Sequence, residues 1–141
     1  RPFQDRDEPA ITALWECCFP DNPPRSAPTR MIAQKRQVQP ELFFVGLVGD
    51  RVVATALSGY DGHRGWLYAV ATDPAFRRRG YGRALIRAVE QALALLGCPK
   101  LNLQVRISNA SVVAFYRALG YAVEERISMG KELTPLAAGD S

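Results

Sequence analysis

Between Trp66 and Leu96 the sequence commits its backbone to a strand, a tight turn and a helix, in that order. The apolar run Trp66 to Thr72 has strand composition. Asp73-Pro74 stops it, because proline lacks the N–H that a ladder needs. Arg77, Arg78 and Arg79 follow, and then Gly80-Tyr81-Gly82. From about Gly82 to Leu96, Leu85, Ile86, Val89, Leu93 and Leu96 recur on one face, with Arg83, Arg87, Glu90 and Gln91 mostly opposite. Gly97 and Pro99 end this helix. Lys100 to Val105 reads as another strand, so the unit is a right-handed parallel crossover, whose ligands lie at the carboxyl ends of the strands.

The turn falls at that end, and its chemistry is that of a phosphate cradle. Glycines turn the backbone tightly and bring bare N–H groups close to a ligand. The helix start adds unpaired donors and the positive end of its dipole. Arginines beside it offer forked donors to the same oxygens. Two common cradles are excluded. The nucleoside-triphosphate loop needs G-x-x-x-x-G-K-[ST], and the chain's Gly-Lys pair, Gly130-Lys131, lies far from this turn and is followed by Glu132. The dinucleotide fingerprint needs a third glycine where Leu85 stands, and a turn straight off the strand rather than after Asp73-Pro74-Ala75-Phe76.

Charge supports a small anionic ligand. The 141 residues carry a net charge of +4, and without Arg77, Arg78, Arg79 and Arg83 the balance is 14 cationic against 14 anionic side chains. A localised excess of this kind speaks against a nucleic-acid face, as does the lack of aromatics interleaved with basic residues. With 48% hydrophobic and 23% charged residues, the chain suits one ordinary soluble domain. No apolar run approaches the ~18 residues of a membrane span, and no leader pattern opens the chain. Cys17, Cys18 and Cys98 make a poor disulfide framework and are expected as reduced thiols in a cytoplasmic protein. His63 lies alone in a glycine-rich loop and is expected to be a bystander; no metal site is expected.

The rest of the chain supplies walls. Arg1-Pro2-Phe3 reads as the tail of a first strand. Asp7 is positioned to cap a helix whose apolar face is Ile11, Leu14, Trp15 and Cys18. Thr29 is positioned to cap a second, from about Arg30 to Val38, with Arg30, Lys35 and Arg36 forming either a solvated face or a wall of an acceptor site. Leu42 to Val48 and Arg51 to Tyr60 form a hairpin around Gly49-Asp50, and Gly65 to Thr72 adds a third long strand. Ser108 or Asn109 caps a last helix with Val112, Val113, Phe115, Tyr116 and Leu119 on its apolar face, and Gly120 ends it. Tyr121 to Leu133 reads as a final strand or a strand with a bulge.

The spacing Arg77-x-x-Gly80-x-Gly82 resembles the coenzyme-A pyrophosphate motif of the GNAT superfamily of N-acetyltransferases, and Val70-Ala71-Thr72-Asp73-Pro74 resembles that family's fourth strand. Gln104-Val105-Arg106-Ile107-Ser108-Asn109, then Ala114-Phe115-Tyr116 and Leu119-Gly120-Tyr121, looks like the block that ends most such domains. Its pattern N-x-x-A-x-x-[FLI]-Y is met at Asn109, Phe115 and Tyr116, with Val112 in place of alanine. The match runs over roughly residues 42 to 133, and Gly65 to Lys131 is especially similar to a small stand-alone bacterial branch (YpeA-like).

The resemblance implies a single α/β (α+β) domain over residues 1–134, with a mixed, mostly antiparallel sheet of six to seven strands flanked by about four helices, and a tail over 135–141. It implies acetyl-CoA as cosubstrate and an amine acceptor that the sequence does not identify, in a monomer or homodimer with no nucleic-acid or membrane partner. The backbone of Val70, Ala71 and Thr72 would pair with the pantetheine arm. Arg77, Arg78, Arg79, Gly80, Tyr81, Gly82 and Arg83 would hold the pyrophosphate, and Asn109 would bond the pantetheine. Tyr116 would protonate the leaving thiolate, and the N–H of Val70 would meet the developing oxyanion.

One departure bears on the acceptor. In the ribosomal-protein N-terminal acetyltransferase branch a glutamate takes the amine proton where this chain has Gln104, and an amide cannot. Tyr68, Asp61, Glu124 and Glu125 remain as candidate bases. A lysine amine of pKa ~10.4 is neutral about once in ~2,500 molecules at pH 7, an amine near ~8 about once in ~10. A site without a strong base therefore favours a weakly basic amine. The rivals to this reading are a ribosomal-protein-type N-terminal acetyltransferase and a non-catalytic acyl-CoA-binding module.

Overall fold

In the computed structural model, which describes residues 1–136, Gly49 stands at φ 59°. That left-handed torsion, free of steric cost only for glycine, folds β1 (Phe43–Val48) back onto β2 (Arg51–Tyr60). A second reversal brings in β3 (Gly65–Thr72), again antiparallel. The helix that follows carries the chain over to β4 (Leu101–Leu103), which pairs with β3 in parallel. Sheet order is β1-β2-β3-β4. It is mixed and mostly antiparallel, as expected.

The strand count is not as expected: four strands form among the described residues, not six to seven. Arg1-Pro2-Phe3 makes a single bridge, Pro2 opposite Phe44, with Phe3 N–H donating to Phe43 O at 2.7 Å. Tyr121 to Leu133 forms no strand. Its apolar residues do alternate, but Val123, Ile127, Met129 and Leu133 are exposed. Alternation specifies a strand only where one face is buried and a neighbour supplies the ladder. The local bonds Tyr121 N–H to Tyr116 O (3.1 Å) and Arg126 N–H to Glu124 O (2.9 Å) are turn bonds. Of the expected tail, residues 137–141 lie outside the described residues.

Among the described residues four α-helices form: α1 (Glu8–Cys18), α2 (Pro28–Gln37), α3 (Tyr81–Leu95) and α4 (Ala110–Ala118). Three expected caps do not, and at α4 the N-cap Asn109 makes no side-chain bond to the helix backbone. Asp7 spends its carboxylate on the Arg1 guanidinium (2.7 and 3.0 Å) and the Gln4 N–H (2.8 Å), not on helix donors. Helix α2 starts a residue before Thr29, with Pro28 in its first turn, where a missing N–H leaves no bond unmade.

Packing divides the chain into a unit of Arg1–Gln104 and a second from Val105 onward. In the first, Val53 to Ser58 of β2 are all buried, so this central strand is covered on both faces. On one face Ile11, Leu14 and Trp15 of α1 and Ile32 of α2 pack with Phe43, Val45, Leu57 and Ala71. Phe3 stacks on Phe43 at 4.7 Å, and Trp15 does so from 5.8 Å. Alternation turns Ala54 and Ala56 to the other side, where α3 crosses β1, β2 and β3 with Leu85, Ile86, Val89 and Leu93 buried. Helix α2 does not present a solvated basic face: Lys35 is buried, and Arg36 pairs with Asp5 (3.0 Å) and Glu8 (2.8 Å). Among the described residues no helix is long and apolar enough to cross a membrane.

Candidate active site

The site is built on the second half of β3. Gly65, Trp66 and Leu67 pair with Leu101, Asn102 and Leu103, and there the β3–β4 ladder ends. Strand β3 runs on through Thr72, five residues beyond its partner, so a notch opens along that edge. On the opposite edge the register slips: Thr55 faces Ala71 and Leu57 faces Tyr68, so Ala69 and Val70 together oppose Ala56. This is a β-bulge, which bends the strand and re-aims its backbone groups. Ala69 pays for it with φ 48°, a region that costs a residue bearing a Cβ about 1–2 kcal/mol.

Beyond the strand, Asp73 organises the turn. Its carboxylate accepts from Ala75 N–H at 2.9 Å and from Arg51 at 3.0 Å, and these bonds, the backbone one foremost, hold it below the usual carboxylate range. Phe76 carries guanidinium groups near its ring, Arg51 at 5.1 Å and Arg79 at 5.2 Å from the centroid, and meets Tyr81 at 6.1 Å. Arg77 reaches back to Thr72 O at 3.3 Å and toward the Cys18 thiol at 3.9 Å. Arg78 at φ 63° and Gly80 at φ 84° swing the chain into α3, with Gly80 as its N-cap. The N–H groups of Tyr81, Gly82 and Arg83 form the first turn and have no intrahelical acceptor. Arg77, Arg78, Arg79, Gly80 and Arg83 are exposed, while Tyr81 and Gly82 are half-buried. Only Gly80 needs its glycine for the torsion; Gly82 lies within regular helix, where a missing side chain leaves the N–H groups uncovered.

Val70, Ala71, Thr72 and Arg77 to Arg83 are thus one continuous strand–turn–helix device in the first unit. Asn109 and Tyr116 belong to the second unit. Asn109 precedes α4 without capping it, its Oδ1 lying 3.4 Å from Ser111 Oγ. Tyr116 is buried and meets Phe115 at 5.2 Å and Tyr121 at 5.6 Å, both edge-on. Burial pushes its phenol up to about 12. The hydroxyl therefore stays protonated through neutral pH, and giving up that proton is harder than for a free phenol.

The candidate bases separate by position. Asp61 accepts from His63 N–H (2.8 Å) and Arg64 N–H (2.7 Å) in the loop before β3. That loop lies a whole strand, about 23 Å at ~3.3 Å per residue, from Thr72. Tyr68 stands on β3 beside the notch, half exposed, with burial raising its phenol. Glu124 and Glu125 lie in the second unit. A cavity of about 770 Å³ opens between α1 and the β1–β2 hairpin beside Asp73 and Pro74, but its walls pair Arg1 with Asp7 and Arg51 with Asp73. Sequence reading missed Ala69, Thr55 and Trp15, which meet at the bulge, and Cys18 beside Arg77. Nothing local marks them: an alanine in a strand pattern gives no sign of a left-handed torsion.

The sequence profile of the acetyltransferase (GNAT) family matches residues 8–121. An acetyltransferase of Yersinia enterocolitica is 41% identical over 133 residues, covering 94% of this chain and 94% of that protein. One of Pectobacterium atrosepticum is 39% identical over the same share of each. Among solved structures, the ribosomal-protein-S18-alanine N-acetyltransferase of Escherichia coli superposes with a TM-score of 0.69 at 26% identity, over 85% of this chain and 74% of that one. The aminoglycoside acetyltransferase AAC(6')-Iy, in complex with a CoA-bearing bisubstrate analogue, shares the fold at a TM-score of 0.76 and 18% identity, over 95% and 97% of the two chains.

Proposed function

The chain belongs to the acetyltransferase (GNAT) family, and from that premise we propose that it moves an acetyl group from acetyl-CoA to a primary amine by direct attack, in the cytoplasm. One observation carries the reading. The β3 edge that β4 leaves after Leu67 runs without interruption through the bulge into three arginines and the start of α3. The pantetheine arm lies along Val70, Ala71 and Thr72 as an added strand. Arg77, Arg78 and Arg79 with the first turn from Gly80 to Arg83 take the pyrophosphate, and Asn109 bonds the pantetheine amide.

The amine nitrogen attacks the thioester carbon, and the carbonyl electrons move to oxygen, where Val70 N–H meets them. As the carbonyl re-forms, the C–S bond breaks and the Tyr116 hydroxyl gives its proton to the thiolate as general acid; the nitrogen, cationic after attack, releases one proton to water, and the phenolate takes one back from water. Cys98, bonded to Lys100 O at 3.3 Å beside Gly65, sits at the far end of β3, in keeping with a path that has no acyl-enzyme. With Gln104 where a base would stand, the acceptor is a weakly basic amine.

A second reading, a protein N-terminal acetyltransferase, draws on the likeness to the Escherichia coli enzyme of that activity; Gln104 stands against it. Acetyl-CoA mixed with the protein and a panel of free lysine, α-amino peptides and small amines, with thiol release followed, tests both. Release above the buffer rate with any amine excludes a non-catalytic acyl-CoA-binding module. Release fastest with free lysine side chains at pH 7 overturns the weakly basic acceptor, and no calorimetric heat with acetyl-CoA overturns the function.

A further inference from the structure

Ala69, half-buried, holds its left-handed torsion opposite the buried centre of β2, and such a conformation persists only where its surroundings over-determine it. Two buried side chains do so here. Trp15 of α1 donates its indole N–H to Thr55 Oγ1 at 2.8 Å, and Thr55 Oγ1 lies 3.0 Å from the carbonyl oxygen of Ala69. Thr55 is 0% exposed and Trp15 2%. The proton positions are forced. An indole only donates and a carbonyl only accepts, so the hydroxyl accepts from Trp15 and gives its own proton to Ala69 O.

That carbonyl shares its peptide group with Val70 N–H. A trans peptide is planar, with C=O and N–H pointing in opposite directions. Pinning Ala69 O toward β2 therefore aims Val70 N–H away from β2, to the edge that β4 has left. A hydroxyl already polarised by the indole also draws charge onto the carbonyl and strengthens the N–H as a donor. We infer that Thr55 and Trp15 are positioning residues for acetyl transfer: their hydrogen-bond chain sets the peptide at the bulge so that Val70 N–H meets the thioester oxygen. This rests on the acetyl-transfer reading above.

The test reads the thioester directly and needs no acceptor. Binding of acetyl-CoA labelled with carbon-13 at the carbonyl is followed by isotope-edited infrared difference spectroscopy, with calorimetry alongside. In the wild type the bound carbonyl stretch moves to lower frequency. Thr55→Val keeps the side chain's shape, loses the hydroxyl and abolishes that shift, with affinity for acetyl-CoA within about 3-fold, because the pyrophosphate contacts remain. Thr55→Ser restores the shift, and Trp15→Phe reduces it. Should Thr55→Val fail to fold, the contrast between Thr55→Ser and Trp15→Phe decides. Equal shifts in the wild type and Thr55→Val, or in Trp15→Phe and Thr55→Ser, overturn the inference and leave the functional reading standing. Binding with no carbonyl shift in the wild type also overturns it, whereas no binding at all removes the functional reading itself.

Discussion

Tyr116 carries two opposing demands. As a general acid it must reach a thiolate whose conjugate acid has pKa ~8.5, yet burial lifts its phenol to about 12. Full proton transfer in the ground state is then uphill by about 3.5 pKa units, on the order of 5 kcal/mol. In the proposed mechanism the phenol donates as the C–S bond breaks, when the sulfur is most basic. Tyr116→Phe should lower kcat about 100-fold and leave calorimetric affinity for acetyl-CoA within about 2-fold. The pH profile gives a second check. The rate should rise with pH as the acceptor amine loses its proton, with no alkaline fall from Tyr116 below pH ~10. A descending limb near pH ~8–9 that disappears in Tyr116→Phe would keep Tyr116 as the acid and overturn its raised pKa, whereas unchanged turnover in Tyr116→Phe would remove the assignment. For stability the sign is the same: the folded state holds this proton more tightly than the unfolded chain, so stability falls as pH rises from ~10 toward about 12.

At the scale of elements, the turn between β3 and α3 is where backbone and function coincide. Gly82 is in the first turn of α3, where a carboxylate stabilises a helix by about 0.3–1 kcal/mol through its dipole. Gly82→Glu should therefore leave the melting temperature unchanged or slightly raised. The same charge would stand in the proposed pyrophosphate site, so affinity for acetyl-CoA should fall at least 100-fold by calorimetry. Loss of binding together with loss of fold would instead make Gly82 structural. This unit was legible in the sequence because its signals are local: Gly49-Asp50 in the hairpin, Pro74 after the strand, the apolar stripe from Leu85 to Leu93. The bulge was not, since a register slip between Thr55 and Leu57 depends on what packs above it, here Trp15. The cap expected at Asp7 failed because a distant arginine competes for the same oxygens. The strand expected at Tyr121 to Leu133 failed because alternation records a preference for a half-buried face without supplying one. Candidate site residues in the cradle were readable from type and spacing, whereas the role inferred for Thr55 rests on geometry alone.

Over the whole molecule, buried and paired charges set the response to pH. Asp7 is held below the usual range by Arg1 above all and by the Gln4 N–H, Asp61 by the N–H groups of Arg64 and His63, and Asp73 by that of Ala75 and by Arg51. Each binds its proton more weakly folded than unfolded, so their contribution is present above pH ~4 and lost as pH falls through the depressed values. Asp7→Asn should cost about 2 kcal/mol at pH 7 in a denaturant titration, and the cost should shrink as pH falls below ~4 and the wild-type carboxyl takes up its proton. Lys35 acts with the same slope. Burial depresses its ammonium, with Glu41 opposing, so the folded state releases a proton that the unfolded chain keeps. Stability then rises with pH toward ~10.4 and is lost on the acid side. Methionine retains the aliphatic stem and removes the charge. Lys35→Met should gain about 1 kcal/mol at pH 7, and the gain should shrink as pH rises toward ~10.4 and the wild type sheds its buried charge. A Lys35→Met variant less stable than the wild type at every pH would mean that the ammonium is fully compensated where it lies, and that α2 owes its seat on the sheet to that charge.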